Sequence, residues 1–132
     1  MVESLQTGII LNTVHYHECV RFYCDLFGLK VLHTKQKQDF QLTCLEFGGS
    51  YLMIETGGMG ACGEKTIAQN PTKLRFNVRD LPAALEAVRT FGIDADIEIY
   101  DWGQVINIVD PDGNRVGIRD AKNFQPTGPS QP

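Results

Sequence analysis

The feature of this sequence that most constrains its fold is an internal repeat of strands and helix. Two helical stretches end alike, one in Phe27-Gly28-Leu29 and the other in Phe91-Gly92-Ile93. An apolar, strand-like stretch precedes each helix, and three more follow it. The chain therefore reads as βαβββ twice. The predicted fold class is α+β, with tandem modules forming a curled mixed β-sheet around a cavity.

The repeat also predicts the domain organisation. Residues 1–120 are expected to form one domain, with module one at 5–56, a glycine-rich linker at 57–71 and module two at 72–120. Residues 121–132, AKNFQPTGPSQP, are rich in proline, glycine and glutamine. Such a composition buries little apolar surface, so this tail is predicted to be disordered.

Charge and composition exclude several classes of partner. The net charge of −4 over 132 residues argues against nucleic acid, whose binding proteins carry a basic patch or stripe. No apolar run approaches the roughly 18 residues that span a bilayer, so no membrane partner is expected. The N-terminus, MVESLQTG, lacks the features of a secretory signal, and the four cysteines show no CxxC spacing. A reduced, cytoplasmic protein is predicted.

Strand alternation separates a core face from an open face in each module. In the strand at 72–78 the residues predicted beneath the helix are Leu74, Phe76 and Val78. The polar anchors predicted on the open faces are Arg75, Glu55, Asn77 and Asn107. Arginine there would bind an anionic or carbonyl group, and a carboxylate would orient it. Two alternatives stay open, because these charges also suit pairing with each other, as in an Arg75–Glu55 pair, or contact with solvent.

Aromatic residues near the strand ends predict the rim of the same site. The rim candidates are Trp102, Tyr100 and Tyr51. Rings of this kind commonly form the wall that holds a planar ligand. Ordinary packing at the edge of the sheets is the alternative interpretation.

Two stretches at the expected spacing connect the chain with a known superfamily. FYCDLFGLKV in the first helix region, paired with VDPDGNRVGI near the end, resembles the glyoxalase / bleomycin-resistance / extradiol-dioxygenase (vicinal oxygen chelate) superfamily. The resemblance covers about residues 5–120. It implies a cavity that in family enzymes holds a divalent metal, through His, Glu or Gln from the first and fourth strands of each module. It also implies a homodimer, the commonest closed assembly.

Transferred onto this chain, the family's metal positions fall on Gly8, Glu55, Lys73 and Gly117. Glycine has no side-chain donor, and an ammonium group repels a divalent cation. Because catalytic metal sites need about three protein ligands, Glu55 alone cannot hold one. We therefore expect no metal ligands and no divalent-metal cofactor. Glu55 is the one candidate for acid–base catalysis.

These inferences favour a metal-free protein that sequesters or carries a small organic ligand. Two alternatives remain open at the level of the sequence. One is a glyoxalase-like lyase, isomerase or dioxygenase with non-standard metal ligands. The other is a non-catalytic dimeric interaction module.

Overall fold

The computed structural model describes residues 1–61 and 63–123, which contain two βαβββ units. The boundary between the units falls between residues 62 and 63. The strands of the first unit are β1 (Gly8–Thr13), β2 (Val31–Lys37), β3 (Phe40–Phe47) and β4 (Ser50–Thr56). The strands of the second unit are β5 (Leu74–Val78), β6 (Glu98–Tyr100), β7 (Gly103–Val109) and β8 (Arg115–Asp120). The predicted α+β class and doubled βαβββ order are confirmed.

Each unit builds one four-stranded mixed sheet with the same topology. The strand orders are β1-β4-β3-β2 and β5-β8-β7-β6. The first and last strands of each unit run parallel, and the other pairs are antiparallel. This arrangement places the first and last strands of each unit side by side.

The first helix differs from its prediction as one α-helix. Residues Tyr16–Arg21 form α1, and Phe22–Leu26 continue it as a π-helical turn. Phe22 and Tyr23 are adjacent in sequence and both are buried, with their ring centroids 4.8 Å apart. Adjacent positions on a regular α-helix point in different directions, so the wider turn accommodates the two rings.

The second helix, α2 (Leu81–Phe91), ends at Phe91 as predicted and begins directly after Asp80. Asp80 Oδ1 accepts a hydrogen bond of 3.0 Å from the Ala83 amide, and Pro82 lies in the first turn. Gly92 ends the helix with a φ of 105°, a left-handed conformation that glycine adopts without steric cost. Among the described residues, no helix is long and apolar enough to cross a membrane.

Burial alternates as predicted in β4, whereas in β5 only Leu74 of the three predicted core residues is buried and Phe76 and Val78 are half-buried. In β4, Leu52 and Ile54 are buried, whereas Tyr51, Met53 and Glu55 are only half-buried. Helix α1 packs against β4, and α2 packs against β8. The other face of each sheet is therefore left without a helix of its own unit.

The C-terminal segment is described only in part. Residues Ala121–Asn123 form a short 3-10 helix, and the rest of the predicted tail lies outside the described residues. The predicted domain boundaries and the cavity enclosed by the two modules stay predictions.

Candidate functional site

The DPDGN turn fixes the position of β8 and therefore of the candidate site. Asp110 Oδ1 accepts hydrogen bonds of 2.9 Å from the amides of Asp112 and Asn114. The ammonium of Lys65 donates to Asp112 Oδ2 at 3.3 Å and to Asn114 Oδ1 at 3.0 Å. Because Asp112 is fully buried, Lys65 supplies the cation that such a carboxylate needs. The segment before β5 is thereby held against the β7–β8 turn.

The open face of the second sheet carries a row of three residues across adjacent strands. Arg75 of β5 is opposite Gly117 of β8, and Gly117 is opposite Asn107 of β7. Directly paired residues point to the same face of a sheet. A glycine therefore separates an arginine from an asparagine.

Lys73 crosses over that glycine. Its Nζ donates a hydrogen bond of 2.6 Å to Asn107 Oδ1, two strands away from β5. A β-carbon on Gly117 would lie 3.1 Å from Lys73 Cε and 3.2 Å from Arg75 Nε. Both side chains therefore converge on Gly117 from neighbouring positions. Glycine is the residue that leaves room for this crossing.

The hydrogen-bonded chain continues from Asn107 to the edge of the sheet. Asn107 Nδ2 donates to Glu98 Oε2 at 3.0 Å, and the Tyr100 hydroxyl donates to Glu98 Oε1 at 2.7 Å. The bonds from Tyr100 and Asn107 lower the pKa of Glu98, with Lys73 adding to the effect. The hydrogen bond between Tyr100 and Glu98 raises the pKa of Tyr100, because ionisation of the tyrosine would place two anions together. Glu98 is therefore held as a carboxylate.

A cavity of about 310 Å³ opens on this face. The residues that line it are Glu64, Lys73, Glu98, Asn107, Ile108 and Arg115. Its volume is at the lower end of the range typical of small-molecule sites. Two cations and two carboxylates face the same space.

The cations lie closer together than their charges favour. Burial, followed by the nearby Arg75 and Arg115, lowers the pKa of Lys73, although Glu98 and Glu64 oppose that shift. Burial and Arg119 lower the pKa of Arg75. Within the described residues, the buried Nε of Arg75 has no hydrogen-bond acceptor. This end of the cavity therefore favours a negatively charged group.

Two aromatic side chains stack at the β6–β7 hairpin, and the hydroxyl of one of them, Tyr100, contacts Glu98 of the cavity. The rings of Tyr100 and Trp102 stack with centroids 5.1 Å apart and planes within 2° of parallel. Arg119 donates to the Trp102 carbonyl oxygen at 2.7 Å and lies 4.9 Å from the centroid of its ring. Arg119 is fully buried and packs over Gly103. It therefore braces the hairpin that carries both rings.

In the first unit, an aromatic ring occupies the place beside the other glycine. Tyr51 is opposite Gly8 in the β1–β4 register, and its ring covers the position that a β-carbon on Gly8 would take. Glu55, two rows along on the same face, is opposite Asn12 and is half-buried. Cys44 pairs with Met53 on the same face, and burial raises the pKa of its thiol. That thiol is not an activated nucleophile.

The structure brings together part of the predicted site. Arg75 and Asn107 share a row, and Tyr100 and Trp102 share a stack. Asn77 lies exposed opposite Arg119. Glu55 and Tyr51 belong to the first unit, so the predicted Arg75–Glu55 pair stays a prediction.

Two charged residues that line the cavity, Glu98 and Glu64, were not predicted from the sequence. Glu98 is two residues before Tyr100 on β6 and points to the same face, so strand parity applied to Tyr100 would have indicated Glu98 as well. Glu64 lies in the predicted linker, where no strand period applies. Its place beside Lys73 depends on the path of the loop.

Comparisons with known proteins identify the fold. The sequence profile of a family described as a glyoxalase-like domain matches residues 8–118. The trypanothione-dependent glyoxalase I of Leishmania major is similar in structure, with a TM-score of 0.71, 18% identity, and coverage of 91% of this chain and 88% of that one. A search among curated protein sequences found no match.

Two further structural neighbours come from antibiotic resistance and antibiotic binding. The fosfomycin resistance protein FosX of Listeria monocytogenes, solved with Mn(II) and 1S,2S-dihydroxypropylphosphonic acid, has a TM-score of 0.71, 13% identity, and coverage of 91% and 93% of the two chains. The antibiotic binding protein TnmS3 of a Streptomyces species has a TM-score of 0.67, 16% identity, and coverage of 91% and 98%. At these identities the likeness shows the fold alone.

The residues at the metal positions that the family resemblance predicts do not fit a divalent cation. In the second unit those positions are Lys73 and Gly117, and the lysine side chain itself fills the space above the glycine. In the first unit, Gly8 offers no donor and is covered by Tyr51, which leaves Glu55. No group of three or more His, Cys, Asp or Glu side chains suited to a metal occurs within residues 1–61 and 63–123. The donor set differs in kind from a catalytic metal site.

Proposed function

The chain belongs to the glyoxalase-like domain family of the vicinal oxygen chelate superfamily, and we propose that it is a metal-free protein that sequesters or carries a small organic ligand. The observation that carries this proposal is the crossing of Lys73 over Gly117. At two positions where family enzymes hold a cation, this chain supplies a fixed positive charge of its own. Binding then needs no metal.

The cavity on the second sheet supports a binding role. It combines cations, carboxylates and an amide in about 310 Å³. Binding sites of this kind use a small number of placed polar groups to fix a ligand, with apolar surface supplying the rest of the contact. Tyr100 and Trp102 supply that apolar surface beside Glu98. No covalent step is part of the proposal.

The neighbours are compatible with either binding or catalysis. TnmS3 is an antibiotic binding protein, and glyoxalase I and FosX are a glyoxalase and a resistance protein of the same fold. A shared fold does not decide function, so the chemistry of the site must decide it. The mismatch at the metal positions favours binding over metal-dependent catalysis.

The test uses protein stripped with a chelator and then dialysed. It is incubated with a mixture of small organic acids, amines and neutral aromatic compounds, and bound compounds are recovered by filtration and identified by mass spectrometry. We expect recovery of unchanged compound at up to one equivalent per chain. Chemically altered products, or retention only after a divalent metal is added, would favour the enzyme alternative. Retention of no compound at all would favour the interaction module.

The homodimer and the cytoplasmic location also stay proposals. Both rest on the sequence and the family resemblance. Sedimentation equilibrium at several protein concentrations tests the dimer.

A further inference from the structure

We propose that the ligand of the second-unit cavity carries an oxyanion, either a carboxylate or a phosphonate, and that this group binds at Lys73 and Arg115 with Arg75 beside it. This inference rests on the proposed function and names the chemical class of its ligand. We derive this chemical class from the charges around Gly117 and not from the ligands of the structural neighbours.

The positive end of the cavity has hydrogen-bonding capacity to spare. The Lys73 ammonium has three N–H donors, and one is directed to Asn107 Oδ1. Arg115 donates from Nη2 to the Asn70 carbonyl oxygen at 3.1 Å, while its Nε has no acceptor among the described residues. The Nε of Arg75 is in the same state. An oxyanion supplies several acceptor lone pairs and negative charge together.

Repulsion between the cations adds to this driving force. Arg75 Nε and Lys73 Nζ lie within 3.2 Å and 3.5 Å of the same point above Gly117. Like charges at such separations destabilise each other unless an anion lies between them. A glutamate at position 117 would neutralise them from within the chain. Glycine at that position leaves the neutralisation to a ligand.

The carboxylates of the cavity give the ligand a direction. Glu98 belongs to the edge strand β6, where hydrogen bonds from Tyr100 on the same strand and from Asn107 on β7 hold its carboxylate. Glu98 repels an anionic group at the β6 end, whereas Lys73 and Arg115 attract it at the β5–β8 end, where Glu64 opposes them. The uncharged part of the ligand then lies toward the stacked rings of Tyr100 and Trp102. A small aromatic compound that carries an oxyanion matches both ends of the cavity.

The experiment measures the binding of four small probes to the chelator-treated full chain by isothermal titration calorimetry. The probes are phenylphosphonate, benzoate, neutral benzamide and cationic benzylamine. We expect both anions to bind at least tenfold more tightly than benzamide and benzylamine. The ratio of phenylphosphonate to benzoate affinity shows which oxyanion is preferred. A higher salt concentration should weaken the binding of both anions, because salt screens the attraction between exposed charges.

Charge-removing variants locate the binding group. Lys73→Met and Arg75→Met should each weaken phenylphosphonate binding at least tenfold. Arg79→Met removes one positive charge from an exposed position just after β5 and is the matched control, for which affinity should not change. Thermal unfolding of every variant separates loss of binding from loss of fold. If Arg75→Met does not fold, Gly117→Glu keeps all the cations and should also abolish anion binding.

The outcomes distinguish this inference from the function on which it rests. Equal or tighter binding of benzamide or benzylamine would overturn the oxyanion assignment and leave a ligand-binding protein. Unchanged phenylphosphonate affinity in folded Lys73→Met would overturn the location. If none of the four probes binds and the compound mixture also yields nothing, the proposed function itself fails.

Discussion

The crossing of Lys73 over Gly117 can be tested without any ligand. Gly117→Val places a branched side chain where a β-carbon alone would already be 3.1 Å from Lys73 Cε. The valine methyl groups extend further into the same space, so Lys73 can no longer reach Asn107. Since the crowding atoms belong to flexible side chains, both can move aside. The fold should therefore persist.

The expected change in the free energy of unfolding is the sum of three contributions. Loss of the bond between Lys73 and Asn107 costs about 1 kcal/mol at this exposed position. Crowding of a buried site adds roughly 1–3 kcal/mol. Replacing a glycine within a strand stabilises the folded state by about 0.5–1 kcal/mol. We expect Gly117→Val to lower the free energy of unfolding by about 1–3 kcal/mol, measured by urea denaturation.

A double-mutant cycle isolates the crossing itself. Lys73→Met should also lose the bond to Asn107, so it should cost much less in the Gly117→Val background than in the wild type, with a coupling of about 1 kcal/mol. Ile118→Val is the control, because Ile118 is buried on the opposite face of β8 and should be additive with Lys73→Met. Additive effects of Gly117→Val and Lys73→Met, within about 0.3 kcal/mol, would refute the reasoning.

Two further predictions concern charge. Because burial, Arg75 and Arg115 lower the pKa of Lys73 against the opposing effects of Glu98 and Glu64, phenylphosphonate should bind tightly below that pKa and more weakly as the pH rises through it. Binding should take up protons there, which calorimetry in buffers of different ionisation enthalpy detects; constant affinity from neutral pH up to the ordinary pKa of lysine would contradict this. Lys65→Met should cost about 2 kcal/mol of unfolding free energy, since it removes a cation from the buried Asp112, whereas Lys35→Met on the exposed β2 should cost almost nothing. Equal midpoints in urea for these two variants would show that Lys65 does not stabilise the turn.

Local sequence signals predicted most of the fold. The bounds of β3, β4 and β8 coincide with the stretches FQLTCLEF, SYLMIET and RVGIRD, because Gly-Gly and DPDGN turns delimit these strands. Helix α2 was predictable from Asp80 and Gly92, which act on their own neighbours. The π-helical turn after α1 was not predictable, because burial of two adjacent rings depends on what packs against them. Strand β6 is shorter than the strand-like stretch DADIEIY at 94–100, since its partner β7 decides where pairing begins.

The candidate site was predictable only as far as strand parity reaches. Parity put Arg75 and Asn107 on open faces, and the family resemblance indicated Gly117 as a metal position without a side-chain donor. The meeting of Lys73 with Asn107 depends on the register of three strands, which no single stretch of sequence specifies. The position of Glu64 could be predicted only if the path of its loop were known as well. These contacts are long-range, and they supply the charge of the cavity.

The replacement of a bound metal by the chain's own cations is tested most directly by one titration. Phenylphosphonate is added to chelator-treated protein in a calorimeter, and the measurement is repeated after one equivalent of Mn²⁺ per chain has been supplied. The account predicts saturable binding without metal and a dissociation constant that changes less than about twofold with Mn²⁺, because Lys73 and Gly117 offer that ion no ligand. Binding that is undetectable without metal and restored by Mn²⁺ would contradict it.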